Sequence, residues 1–129
     1  MNWSLIAQIA TPISILVSIA IYAVSNSREK KVRAFTEIDA LLEANADLQD
    51  KDFKKDYLDF VKYVRKVDRF AAEYNGKMLH RKTVKNRIGG FLVRKYDEQW
   101  KAIVEQQRKQ FSRADYYDSI DKMIMSLKK

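Results

Sequence analysis

The sequence predicts an all-α protein with one N-terminal transmembrane helix and a cytoplasmic bundle of three or four helices. Residues 3–24 contain no charged side chain, and a bilayer core requires about 20 apolar helical residues. Apolar residues after this stretch recur every three or four positions, which is the period of one helix face. The 129 residues include one proline and three glycines, and a chain with few breakers is usually helical.

Residues 1–25 are predicted to be the transmembrane anchor. Trp3 and Tyr22 lie near its two ends, where aromatic rings suit the membrane interface. Pro12 removes a backbone donor and predicts a kink. A cleaved signal peptide is disfavoured because no basic residue precedes Arg28. A buried core helix of a protein without a membrane span is the other alternative.

Small and hydroxylated side chains share one face of this predicted anchor. Ala7, Thr11, Ser14 and Ser18 follow spacings of four, three and four residues. Such a face allows close approach of helix backbones in lipid. We therefore expect a helix–helix interface there, formed with a second copy or with a membrane protein partner.

Charge sets the expected orientation of the anchor. Arg28, Lys30, Lys31 and Arg33 follow the apolar stretch directly. The positive-inside rule then places the N-terminus outside and the remaining chain in the cytoplasm. The same four residues are candidates for contact with anionic membrane lipid, although a simple basic flank explains them equally well.

Residues 26–50 are predicted to form a juxtamembrane helix with Val32, Phe35, Ile38 and Leu42 on one face. The sequence leaves two structures open here. Either the anchor continues into this segment as one long helix, or the chain bends at residues 25–27.

Residues 51–129 are predicted to be the cytoplasmic helical domain. A heptad seam over 51–75 predicts its first helix, with Asp52 as N-cap and Asn75-Gly76 as the stop. The seam comprises Phe53, Tyr57, Phe60, Val64, Val67, Ala71 and Tyr74.

Two further segments complete this domain. Residues 77–110 are predicted to form a long helical segment that Thr83 caps. Gly89-Gly90 lies inside it and indicates either close helix packing or a break. A final helix is expected within 111–129, where residues 112–115 resemble a capping box.

No catalytic, cofactor or metal site is predicted. The chain has no cysteine and a single histidine, so zinc sites built on these residues are not expected. His80 lies among basic residues and is interpreted as a surface or helix-end residue. The acidic residues occur near lysines and arginines, which favours a solvated surface over a paired-carboxylate site. We therefore expect a non-enzymatic protein without a small-molecule substrate.

A basic region is the most distinctive feature of the domain. The net charge is +8, and no acidic residue occurs between Tyr74 and Tyr96. This surface suits an acidic protein, anionic lipid or, less favourably, nucleic acid. An ordinary solvated surface is the alternative. The residues proposed to face lipid or a partner from this region are Lys77, Arg81, Lys82, Lys85, Arg87 and Arg94.

The stretch Ile88-Gly89-Gly90-Phe91-Leu92-Val93-Arg94 is followed by Trp100. This pattern resembles a family of small uncharacterised bacterial proteins that have one N-terminal span, a basic flank and a helical cytoplasmic domain. The resemblance implies a topology and a bacterial inner-membrane setting, and it supplies no catalytic residues.

Taken together, these patterns indicate an accessory, regulatory or defence-associated interaction module. Its expected contacts are the face of the anchor and the basic helices, and a homo-oligomer or a membrane protein partner is expected. Two alternatives remain open, which are a small effector that assembles into a pore and a membrane-tethered nucleic-acid binder.

Overall fold

The computed structural model describes the backbone of residues 3–129 and the side chains of residues 12–129. All regular structure in this range is helical, which confirms the all-α prediction. The helices are α1 (Trp3–Asp47), α2 (Tyr57–Asn75), α3 (Arg81–Lys95), α4 (Lys101–Gln110) and α5 (Asp118–Lys128). A five-residue π turn, Tyr96–Trp100, joins α3 to α4 without a break.

The first helix is continuous over 45 residues and includes Pro12. Of the two structures left open by the sequence, the single long helix is therefore observed and the bend at 25–27 is not. Nothing between Val24 and Val32 breaks a helix, since this part of the chain contains neither proline nor glycine.

The described part of α1 does not support a membrane span. Among the residues whose side chains the structure describes, no helix combines the length and the apolar character that a membrane crossing requires. From Pro12 onwards the uncharged part of α1 is short and interrupted by serines, and Arg28 and Glu29 follow it closely. The predicted transmembrane anchor is therefore wrong on this finding, as are the single-pass topology, the outside N-terminus and the inner-membrane location.

The hydrophobic core is formed by all five helices. The second half of α1 contributes Ala34, Ile38 and Leu41. The heptad seam of α2 is buried from Phe60 onwards, and α2 packs mainly against α5. Burial of such side chains is the main source of stability in a domain of this size. The other core residues include Val84, Ile88, Leu92, Trp100, Ile103, Val104, Ile120, Met123 and Ile124.

The second helix begins later than predicted and ends where expected. Asp52 does not cap it, because its Oδ1 accepts a hydrogen bond from the Lys54 backbone N–H at 2.9 Å and closes a separate turn. The helix ends at Asn75 with Gly76 as C-cap. The left-handed residue that follows is Lys77, with φ of 60°.

The third segment differs from its prediction at the cap and at the glycines. His80 caps α3, since its Nδ1 accepts a hydrogen bond from the Thr83 backbone N–H at 3.3 Å. Thr83 is therefore not the cap. The helix continues through Gly89 and Gly90, so no break occurs there, and Gly89 lies against Leu127 of α5.

The final helix starts at Asp118, and the capping box predicted at residues 112–115 does not form. Ser112 instead adopts φ of 52° at the end of α4. The Arg113 N–H donates to the Arg108 carbonyl oxygen at 3.0 Å, which is the hydrogen bond of a Schellman motif. Residues 112–115 therefore belong to the termination of one helix rather than to the start of the next.

Candidate interaction surface

Two faces of α1 have opposite environments. Ala34, Ile38 and Leu41 face the bundle and are at most 4% exposed. A second face, about a third of a turn away, points into solvent. Its members lie three or four residues apart, and we call them the outer stripe. The outer stripe comprises Val17, Ile21, Val24, Arg28, Val32, Phe35, Asp39 and Leu42.

The outer stripe is exposed along its length and mostly apolar. Its six apolar side chains are 38% to 63% exposed. Phe35 is the most covered of them, because the guanidinium of Arg87 lies 4.6 Å from the centre of its ring. Surface runs of large apolar side chains commonly mark sites where another molecule binds.

The apolar exposure extends around the N-terminal part of α1. Ile15, Leu16 and Ile19 lie off the outer stripe and are 55% to 66% exposed. Ser14 and Ser18, two members of the predicted small-residue interface, are exposed as well. The other two members, Ala7 and Thr11, lie outside the residues whose side chains are described. The small-residue interface stays a prediction.

Three of the predicted partner-facing arginines have contacts within the chain. Arg33 Nη2 donates to Glu73 Oε1 at 3.0 Å. Arg81 donates to the carbonyl oxygens of Tyr74 and Asn75, both at 3.2 Å, and also lies over the Tyr74 ring. With Arg87 placed over Phe35, these three side chains stabilise the bundle.

The other predicted basic residues form no ion pair with any described residue. Most of them lie in one of two places. Lys30 and Lys77 line a cleft of about 260 Å³ between α1 and the α2–α3 loop, together with Arg33 and Glu29. Lys85 and Arg94 line a groove of about 600 Å³ between α3 and α5, where Asp97 and Glu98 also lie. The remaining members of this set are Arg28, Lys31 and Lys82.

Acidic residues lie beside the basic residues in both places. This mixture weakens the local positive potential that a polyanion would require. Contact of these residues with lipid, an acidic protein or nucleic acid stays a prediction.

A cluster of titratable residues joins α4 to α5, and no sequence pattern indicated it. Arg108 Nη2 lies 2.6 Å from Asp121 Oδ2, and the Tyr96 hydroxyl donates to Asp121 Oδ1 at 2.8 Å. Burial, with this hydrogen bond, raises the pKa of Tyr96 to about 12. The hydrogen bond to Asp121 also raises the pKa of Arg108. These contacts fix the end of α4 onto the start of α5.

Asp68 of α2 lies near the same junction. Burial raises the pKa of its carboxyl group, the Ile120 backbone N–H opposes this rise, and the charges of Asp118 and Asp121 add to it. Its Oδ1 is buried without a hydrogen-bond partner among the described residues. Within the same part of the chain, no group of three histidine or carboxylate side chains is placed to hold a metal ion.

Comparison with protein-family models, curated proteins and solved structures found no match to this chain. The resemblance noted for residues 88–100 therefore stays a prediction, and the surface has to be interpreted from its own chemistry.

Proposed function

We propose that the chain is a non-enzymatic interaction module that binds its partner through α1. The observation that carries this proposal is the contrast between the two faces of that helix. One face is buried in the bundle, whereas Val17, Ile21 and Val24 are each more than half exposed. The bundle positions the helix, and the outer stripe makes the contact.

The energetics support binding through this surface. Full burial of one valine, leucine or isoleucine side chain contributes about 1.5–3 kcal/mol. A micromolar complex requires about 8 kcal/mol of binding free energy, and association has its own entropic cost. The six apolar side chains of the outer stripe are 38% to 63% exposed, so covering all of them contributes about 5–9 kcal/mol, and apolar side chains of the partner that become buried at the same time supply the rest.

The bundle itself supports a scaffolding role. Several of its polar side chains bind other parts of the chain, as Arg33 binds Glu73 and Arg108 binds Asp121. Such contacts fix the helices and leave the exposed length of α1 available. Accessory, regulatory and defence-associated roles would all suit a module of this kind.

Site-specific photo-crosslinking tests the proposal and identifies the partner in the same experiment. A photoreactive amino acid replaces Ile21 in the full chain, and a second variant carries it at Leu58. Leu58 is 73% exposed but lies on α2, away from the outer stripe. We expect one discrete protein adduct from position 21 and none from position 58, with mass spectrometry identifying the adduct. No adduct at position 21, adducts to lipid only, or equal adducts at both positions would contradict the proposal.

A further inference from the structure

The outer stripe contains two charged residues, and their placement is symmetric. Arg28 lies four residues before Val32, and Asp39 lies four residues after Phe35. Val32 and Phe35 lie between these two charged residues, in the C-terminal half of the stripe. Neither Arg28 nor Asp39 forms an ion pair with any residue that the structure describes. Two opposite charges at equal distances from a central apolar pair are what a self-complementary surface requires.

We propose that the outer stripe from Ile21 to Leu42 binds a second copy of this chain in antiparallel orientation, with Val32 of one copy facing Phe35 of the other. This proposal rests on the proposed function and names its partner. In this register each Arg28 faces the Asp39 of the second copy, so the dimer contains two intermolecular ion pairs on either side of an apolar centre.

The heptad spacing continues this register in both directions. Ser25 faces Leu42, and Ile21 faces Ala46, each pair occurring twice by symmetry. These layers extend over about 38 Å of helix at 1.5 Å per residue. All four residues are exposed, and small side chains opposite large ones allow the two helices to pack closely.

The charges also select against the other orientation. A parallel pairing in register would place Arg28 opposite Arg28 and Asp39 opposite Asp39. Like charges opposite each other disfavour a pairing and are a common means of setting orientation. Val32 and Phe35 alone would permit either orientation, whereas the two charged residues permit only the antiparallel one.

Charge reversal in the full chain tests the ion pairs. We expect the parent protein to be a dimer by light scattering and sedimentation. Arg28→Asp and Asp39→Arg should each raise the dissociation constant at least about tenfold, because each places like charges together twice. An equal mixture of the two variants should restore dimers, since one chain then has two acidic and the other two basic residues at these positions.

Matched controls reverse exposed charges elsewhere. Arg65→Asp and Asp50→Arg change the net charge by the same amounts but lie outside the outer stripe. We expect neither control to change the dissociation constant. Equal weakening by the controls, or no recovery in the mixture, would overturn the proposed register.

Disulfide trapping tests the register directly, because the chain has no native cysteine. A mixture of Ser25→Cys and Leu42→Cys chains should form a linked dimer on oxidation. Either variant alone should not, since identical positions lie about 25 Å apart in the antiparallel pair. Linked dimers from a single variant would indicate a parallel pairing and overturn the proposal.

The two proposals fail in different ways. A monomeric parent that crosslinks from position 21 to another protein would overturn the dimer but leave the interaction module intact. A monomeric parent that gives no protein adduct, and instead floats with phosphatidylcholine vesicles, would overturn both.

Discussion

Arg33 of α1 and Glu73 of α2 form an ion pair with Nη2 and Oε1 3.0 Å apart, although 40 residues separate them. The two side chains differ in exposure, since that of Glu73 is 11% exposed and that of Arg33 is 46% exposed. The second carboxylate oxygen of Glu73 is buried without a described partner. Glu73 therefore depends on Arg33 to compensate its buried charge.

Replacement of Arg33 by methionine should destabilise the protein through Glu73. The change leaves a buried carboxylate without its donor, which lowers the free energy of unfolding by about 1–3 kcal/mol. Glu73→Gln in the same chain should recover part of this loss, because a neutral amide is less costly to bury. Urea unfolding measures both, and Arg65→Met is the control at an exposed arginine. A loss in the control as large as in Arg33→Met would argue against this explanation.

Replacement of Lys77 by glycine should stabilise the protein. Lys77 has φ of 60° in the Schellman motif that ends α2, a position that glycine usually occupies. Relief of the left-handed conformation contributes about 1 kcal/mol to the free energy of unfolding. Lys77→Ala is the control, because it removes the same charge and keeps the strain. The explanation predicts a higher melting temperature for glycine only, and an equal gain with alanine would refute it.

The glycine pair of α3 should respond asymmetrically to substitution. A Cβ at Gly90 meets no atom within 4 Å, whereas a Cβ at Gly89 lies 3.5 Å from Leu127 Cδ2. Alanine at either position should add about 0.5–1 kcal/mol of stability, because glycine is unfavourable inside a helix. Substitution by leucine should distinguish the two positions. Gly89→Leu overpacks the contact with α5 and lowers the free energy of unfolding by about 1–3 kcal/mol. Gly90→Leu should be tolerated, and thermal unfolding of the four variants gives the comparison.

Asp68→Asn should change how stability depends on pH. The pKa of Asp68 is raised above 3.8 in the folded protein, so the folded state holds this proton more tightly than the unfolded state. The proton on Asp68 therefore stabilises the folded state at low pH, and this contribution to stability is lost as the pH rises through the pKa that Asp68 has in the folded protein. Asparagine carries no charge at any pH. The free energy of unfolding of the variant should therefore exceed that of the parent most at neutral pH.

Unfolding of the parent and Asp68→Asn at a series of pH values measures this difference. The gain should shrink as the pH falls towards 3.8, the ordinary aspartate value. Asp50→Asn, at an exposed position, should show no such trend. A gain that is constant over the whole range would show that burial of the Asp68 charge is not its cause.

The periodicity of the sequence predicted the helices and much of the core. The seam over Phe60, Val64 and Val67 is buried in α2, because a heptad pattern reports which helix face meets its neighbours. Helix starts were less predictable. His80 caps α3 through a ring nitrogen and also donates its backbone N–H to the Lys30 carbonyl oxygen, and the second contact depends on where α1 lies.

The surface was harder to predict than the core. An apolar helix has the same composition whether lipid, protein or solvent surrounds it, so the stretch before Val24 indicated a membrane span that the described residues do not support. The contacts of Arg33 and Arg87 were not predictable, because Glu73 and Phe35 are distant from them in sequence. The symmetry of Arg28 and Asp39 became apparent only when both were seen on one exposed face.

The π turn at Tyr96–Trp100 sets the rotational phase between two helices. In an uninterrupted α-helix, the face of Ile103, Val104 and Gln107 would point roughly a quarter of a turn away from that of Ile88 and Leu92. The additional residue of the π turn delays the rotation by about this angle, so both faces reach the same core. Deletion of one residue in this turn would leave an uninterrupted α-helix with α4 still in phase, whereas an inserted residue without a second π turn would rotate α4 by about 100°. The fold therefore depends here on the number of residues as well as on their kind.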